Sequence, residues 1–328
     1  MRNPLILDTD GGVDDAQALM MLIAHGVVPE AITTVFGNVG LEAATRNILS
    51  VLALAGAAHV PVHAGQARPL TGAVIDAAHV HGEDGLGGAP RPARIPEPAS
   101  HDAVTFLCRR LERARAEEAK VDLLMIGPLT NLALALRLAP GIEAGIGQLT
   151  LMGGTVYGRG NTTPAAEFNI YADPEAAAIV FGADIPTVVV PWEPCRSHAM
   201  TGPEMDDAFQ GRTDDPYGAF AHALASHARR FAIGYGRGDV FQFVDPFAAA
   251  VVIEPSIVTG ALTASVDVAL APGITRGMTV VDPSSRLGTP PVTLVESGDL
   301  DRLKALFAES VTWRPGSTAR TPEKETAR

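Results

Sequence analysis

The stretch LILDTDGGVDDAQALMMLIA, residues 5–24, constrains this chain more than any other. An apolar run, two glycines and a second, longer apolar-rich segment follow one another. Four aspartates, Asp8, Asp10, Asp14 and Asp15, fall within eight positions at the junction. The order reads as a buried strand, a sharp turn and a helix, the opening of a parallel βαβ unit. Aspartates favour helix N-termini through capping and the helix dipole. Capping uses one or two carboxylates, however, and four at one strand end repel one another. A cation relieves that repulsion, and an all-oxygen set of this kind suits Ca2+ or Mg2+.

The alternation continues along the chain. Strands are expected at 31–37, 60–65, 121–127, 148–154 and 185–191, with helices at 42–56, 101–118, 128–138 and 173–183. Pro128 and Pro174 suit first helical positions, and Asp173 suits the cap before Pro174. After residue 195 the pattern loosens. Helices are expected at 203–210, 216–234, 246–253 and 299–310, and shorter strands near 264–270, 278–281 and 292–295. This predicts a single α/β domain over residues 1–313, with a mainly parallel central sheet flanked by helices and a Rossmann-like core. A polar tail, 314–328, is expected to be flexible. Segment 65–99, rich in Gly, Pro and His, is too long for a plain connection and reads as an active-site loop.

Composition narrows the function. A net charge of −12 over 328 residues argues against a basic face for nucleic acid or an anionic membrane. Two cysteines, Cys108 and Cys195, make no disulfide framework and read as small buried side chains. Met1-Arg2 leads into an apolar strand without a signal-peptide pattern, and no apolar run reaches the ~20 residues of a membrane helix. A cytoplasmic protein is expected.

More polar residues recur where open parallel sheets bind ligands, beyond strand ends. Asp245 in FVDPFAAAV precedes Pro246 at a helix start, as a third carboxylate for a cation or as a plain N-cap. Glu167 and Asn169 in AEFN, with Asn161 just upstream, supply the donors and acceptors that sugar hydroxyls need. The same residues also suit a turn. Asn38 follows the second strand, and His79 and His81 lie in the long loop. A phosphohydrolase with Asp8 as nucleophile and Asp10 as acid/base fits the opening D-x-D-G. It also needs a later lysine followed by an acidic metal motif. Lys120, Lys304 and Lys324, the only lysines, all lack that context.

Together, DTDGGVDDA, FGN, HGEDGLG, IGPLTNLA, MGG…GN…AEFN…DPEAA and VDPFAAA resemble the nucleoside hydrolase family, in order and in approximate spacing, over about residues 4–254. The resemblance implies Ca2+-dependent cleavage of ribonucleosides to ribose and a free base. It implies Asp10, Asp15, Asp245 and the backbone carbonyl of Ile126 as metal ligands, with Asp10 as general base for a metal-bound water. Asp14, Asn38 and Asn169 would hold the 2′- and 3′-hydroxyls, Asn161 and Glu167 the 5′-hydroxyl, and Phe168 would wall the sugar pocket. A homodimer or homotetramer is the matching expectation.

One position departs from the family pattern. Many members carry a histidine before the last metal aspartate, where it can protonate the leaving base, and purine-specific members carry tryptophan; here the residue is Val244. His81 matches the family's loop histidine, and Tyr235 is a second candidate donor. Trp192 reads equally as a pocket wall or a core residue. With the base half altered, a non-catalytic ribonucleoside-binding protein is the alternative. Retention of Asp10 speaks against it, because binding alone needs no base.

Overall fold

The structure, a computed structural model, describes residues 2–316. Eleven strands are β1 Leu5–Thr9, β2 Ala31–Thr34, β3 Val62–Ala64, β4 Val121–Met125, β5 Ile146–Met152, β6 Thr187–Val190, β7 Ala199–Thr201, β8 Val240–Gln242, β9 Val258–Val268, β10 Thr279–Asp282 and β11 Pro291–Gly298. The helices are α1 Val13–Ala24, α2 Leu41–Leu54, α3 Ala78–His81, α4 Ala103–Ala116, α5 Thr130–Leu138, α6 Phe168–Ala172, α7 Pro174–Phe181, α8 Trp192–Ser197, α9 Gly202–Phe209, α10 Pro216–Gly234, α11 Asp245–Ile253 and α12 Leu300–Thr312.

Nine strands form one sheet in the order β10-β9-β11-β6-β5-β4-β1-β2-β3. From β3 to β11 every pairing is parallel; β9 and β10 add an antiparallel edge. The mainly parallel α/β fold is therefore as expected. Strands such as LILDT and VDLLM are buried on both faces because helices cover both sides of the sheet. One apolar cluster, which includes Leu19, Leu22, Phe247 and Phe307, lies on one face, and another, which includes Leu107, Leu132 and Phe181, on the other. Each such side chain, fully buried, stabilises the fold by roughly 1.5–3 kcal/mol.

The chain runs outward from β1 to β2 and β3, then returns through α4 to β4 on the other side of β1. That reversal opens a crevice beyond the carboxyl ends of β1 and β4, the position where open α/β sheets bind ligands. Two glycines keep it tight. A Cβ at Gly37 would lie 2.0 Å from Asp10 Oδ2, and one at Gly12 would lie 2.5 Å from Asn38 Nδ2.

Several boundaries differ from expectation. α5 begins at Thr130 with Leu129 as its cap, so Pro128 precedes the helix rather than opening it. α6 and α8 were not expected, being one or two turns long without room for a periodic apolar face. β9 starts at Val258, earlier than expected, because its first half alternates half-buried and exposed small residues and carries Gly260. Segment 65–99 contains only the single turn α3. It is held down by Ala77 N–H donating to Asn38 O (3.1 Å) and by Asn47 Nδ2 donating to Asp84 O (2.9 Å). Among the described residues no helix is long and apolar enough to cross a membrane. Of the expected tail, residues 317–328 lie outside the described residues.

Candidate active site

A cavity of about 190 Å³ occupies the crevice. Its floor comes from strand ends and helix starts. Asp14 and Asp245 line it, with Asp15 buried just beneath; one oxygen from each of the three lies within 4.8 Å of the others. α1 brings Asp14 and Asp15 there as its first turn, and α11 brings Asp245 as its first residue.

Asp15 is heavily engaged. It accepts from the Thr9 hydroxyl, from Gly12 N–H (2.8 Å), from Asp10 N–H (3.2 Å) and from Asn38 Nδ2 (2.9 Å). Asp10 is fully buried beneath the floor. Its two oxygens accept from Asn38 N–H (2.7 Å) and Asn38 Nδ2 (2.9 Å), and its carboxyl also meets that of Asp15. The converging trio thus contains Asp14 where the resemblance placed Asp10, and Asp10 reaches it through Asp15. Asn38 ties the two buried carboxylates together, a role its position after β2 did not announce.

Burial first, and mutual repulsion second, hold Asp10 and Asp245 well above the ordinary carboxylate range and raise Asp15 as well. Burial pushes Asp14 to about 6, and Asp14 Oδ1 has no hydrogen-bond partner. Three converging carboxylates, an Asp14 oxygen without a hydrogen-bond partner and no lysine or arginine on the floor make a site that a hard cation fits.

The same cavity is lined by Ile126, Asn161, Glu167, Phe168 and Asn169. Glu167 caps α6: Oε1 accepts from Asn169 N–H (2.9 Å), and Oε2 accepts from Gly154 N–H (2.9 Å) and Ile170 N–H (3.2 Å). Burial outweighs these bonds and raises Glu167 to about 7. Asn161 Oδ1 accepts from Phe168 N–H (2.9 Å). Asn169 Nδ2 donates to the carbonyls of Ile126 (3.2 Å) and Met152 (3.1 Å), pinning the ends of β4 and β5 together.

The outer wall is more varied. Val13 N–H donates to His81 Nδ1 at 3.1 Å, which assigns the ring proton to Nε2. Burial lowers His81 to about 4, so near neutral pH it is an uncharged N–H donor rather than an imidazolium acid. His79 also lines the cavity. Tyr235 sits at the mouth, 59% exposed, its ring 4.3 Å from that of Phe231. Val244 lines the wall as the cap of α11. Trp192 is both a core residue and part of the wall, with the Arg237 guanidinium 5.7 Å from its ring centre.

Asp8 does not reach the cavity. It is 1% exposed, and its Oδ2 accepts from Thr33 (2.5 Å) and Asn131 (2.8 Å), bracing β1 against β2 and α5. A carboxylate so enclosed is not an accessible phosphoryl acceptor, so the Asp8-nucleophile reading fails on access as well as on lysines. Gln17, His227, Phe231 and Arg237 also line the cavity and were not singled out from the sequence. The one available signal was Gln17, a lone amide inside an apolar helix.

The family model described as inosine-uridine preferring nucleoside hydrolase matches residues 5–305. The non-specific ribonucleoside hydrolase RihC of Escherichia coli K12 is 40% identical over 292 residues, covering 88% of this chain and 91% of that protein. Among solved structures, a plant nucleoside hydrolase, PpNRh1, superposes with a TM-score of 0.85 at 31% identity, covering 94% of this chain and 99% of the other. The purine-preferring ribonucleoside hydrolase from Gardnerella vaginalis superposes with a TM-score of 0.84 at 27% identity, covering 94% and 98%.

Proposed function

The chain belongs to the inosine-uridine preferring nucleoside hydrolase family and is an N-ribohydrolase, and on that premise we propose how its cavity cleaves ribonucleosides. The observation that carries the reading is the convergence of Asp14, Asp15 and Asp245 at a cavity that Asn161, Glu167 and Asn169 also line. In the proposal, Asp10, Asp15, Asp245 and the Ile126 carbonyl hold Ca2+, and Asp14 faces the same space. When bound, Ca2+ supplies a positive charge that anchors vicinal hydroxyls and makes a nearby water easier to deprotonate.

The remaining work falls to the protein's own groups. Asp14, Asn38 and Asn169 take the 2′- and 3′-hydroxyls. Asn161 and Glu167 take the 5′-hydroxyl, and Phe168 walls the sugar. Fixing ribose and water together turns an encounter into a positioned attack. Breaking the N-glycosidic bond builds positive charge on the ribose, which the buried carboxylates favour. Asp10 accepts the proton of the attacking water.

His81 and Tyr235 remain the candidates near the departing base. His81 is suited to donate a hydrogen bond from Nε2 rather than to arrive protonated, and Val244 supplies no proton at all. A cytoplasmic homodimer or homotetramer is part of the same reading, open to light scattering on the purified protein.

The test is release of reducing sugar from a panel of purine and pyrimidine ribonucleosides, with and without a chelator. Release from at least one, abolished by chelation and restored by Ca2+, is expected. A protein that binds Ca2+ yet releases no sugar from any of the panel sinks the proposed mechanism.

A further inference from the structure

Gln17 is a polar side chain that neither the acidic floor nor α1 itself uses. It is 3% exposed, and neither its amide nitrogen nor its amide oxygen has a hydrogen-bond partner. Buried amides are almost always paired, and an unpaired one weakens the fold. Its side chain lines the same cavity as Asp14.

Val13, Asp14 and Gln17 share one face of α1, and Gln17 stands three residues, about 4.5 Å along the axis, beyond Asp14. In the proposed function the departing base lies beside Tyr235, which caps α10, and α10 packs on α1. α10 also presents His227, Ala228 and Phe231 to the cavity. His227 Nε2 is already bonded to Val80 O at 2.8 Å. His81 Nδ1 is already bonded to Val13 N–H. Gln17 has both a donor and an acceptor uncommitted.

We infer that Gln17 reads the hydrogen-bonding edge of the leaving base. The inference rests on the ribonucleoside reading of the cavity given above. A primary amide offers one donor and one acceptor side by side, and so complements a heterocycle whose edge carries an adjacent acceptor and donor. Turned over, it matches the opposite order. The class of base it takes therefore spans keto and amino heterocycles. Gln17 is a recognition residue for the base and leaves the ribose chemistry to the floor.

The experiment compares wild type with Gln17→Met, close in shape but without hydrogen-bonding groups. Substrates are uridine, cytidine, inosine, adenosine and 4-nitrophenyl β-ribofuranoside, which keeps the ribose but lacks the paired edge. For the nucleosides that wild type cleaves, kcat/KM should fall at least about tenfold further than for the nitrophenyl riboside, as the loss of a buried polar partner implies. The melting temperature should be unchanged or higher, since an unpaired amide has been removed from the interior. Gln17→Leu should show the same substrate pattern. Equal losses on all substrates, or no loss on any, overturn the inference and leave the hydrolase reading standing. So does a lower melting temperature or failure to fold in both variants, which would give Gln17 a structural role. A wild type that cleaves the nitrophenyl riboside but none of the nucleosides overturns the inference as well. If wild type cleaves none of the five, the proposed function falls and the inference falls with it.

Discussion

The floor and the outer wall of one cavity are built on different principles. Asp10, Asp15, Asp245, Glu167 and Asn169 are buried at strand ends and helix starts, and backbone N–H groups or Asn38 hold several of them in place. The wall is assembled from α3, α8, α10, the segment before β8 and Gln17 of α1; Tyr235 there is largely exposed and Gln17 has no partner. Groups held by a rigid sheet suit chemistry that must not move, while more exposed elements tolerate change and suit discrimination between substrates. The departure from the family pattern, Val244, falls in the wall, and of the matching residues His81 falls there too while the carboxylates fall in the floor.

Substitutions in the floor should damage all substrates alike, and substitutions in the wall should sort them. The largest effect is expected for Asp10→Ala: turnover should drop by about 1,000-fold or more on every ribonucleoside cleaved, with an unchanged circular dichroism spectrum. Activity within tenfold of wild type would remove Asp10 from the role of base. Next, Asn38→Ala removes the Nδ2 clamp on Asp10 and Asp15 and leaves only the backbone N–H bond to Asp10. Calcium affinity by titration calorimetry should weaken by roughly 10–100-fold, as for other groups that orient metal ligands. Unchanged affinity would show that the clamp is not needed to shape the site. Tyr235→Phe is expected to cost less than about tenfold, and unequally across bases. A uniform loss across the panel would place Tyr235 with the floor.

The smallest effect concerns pH. Burial raises Asp8 to about 7 against an ordinary value of 3.8, so between those values the folded protein keeps a proton that the unfolded chain has released. The unfolded state then binds fewer protons, and the Asp8 contribution to stability falls as pH rises through that window. In chelator, the change in melting temperature from pH 4.5 to 7 should therefore be less negative, or more positive, in Asp8→Asn than in wild type. Identical slopes would contradict a proton held on Asp8.

The floor was legible from local sequence. DTDGGVDDA carries four aspartates at one strand end, too many to be explained by capping, while AEFN, with Glu167 and Asn169, suited a turn as well as a sugar site. The brace made by Asp8 depends on contacts far apart in the chain, since Thr33 and Asn131 meet it from 25 and 123 positions away. The wall was legible only in part: His79, His81, Trp192, Tyr235 and Val244 stood out and all line the cavity, while His227, Phe231 and Arg237 did not. Nothing near Arg237 in the chain indicates that it will lie over Trp192, and α8, which starts at that tryptophan, is too short to show a periodic pattern.

By itself, the amino-acid sequence determined the alternating α/β plan, the placement of four aspartates where a strand gives way to a helix, and the pairing of Asn and Glu in a loop beyond another strand. These are local patterns, set by apolar periodicity and by the way glycine and aspartate shape a turn. Tertiary structure alone decided that Asp14, Asp15 and Asp245 converge, that Asn38 binds Asp10 and Asp15 together, and that α10 closes over α1 to leave Gln17 buried without a partner. The physical reason is that burial and convergence depend on which distant elements pack together, and no single segment of the chain carries that information.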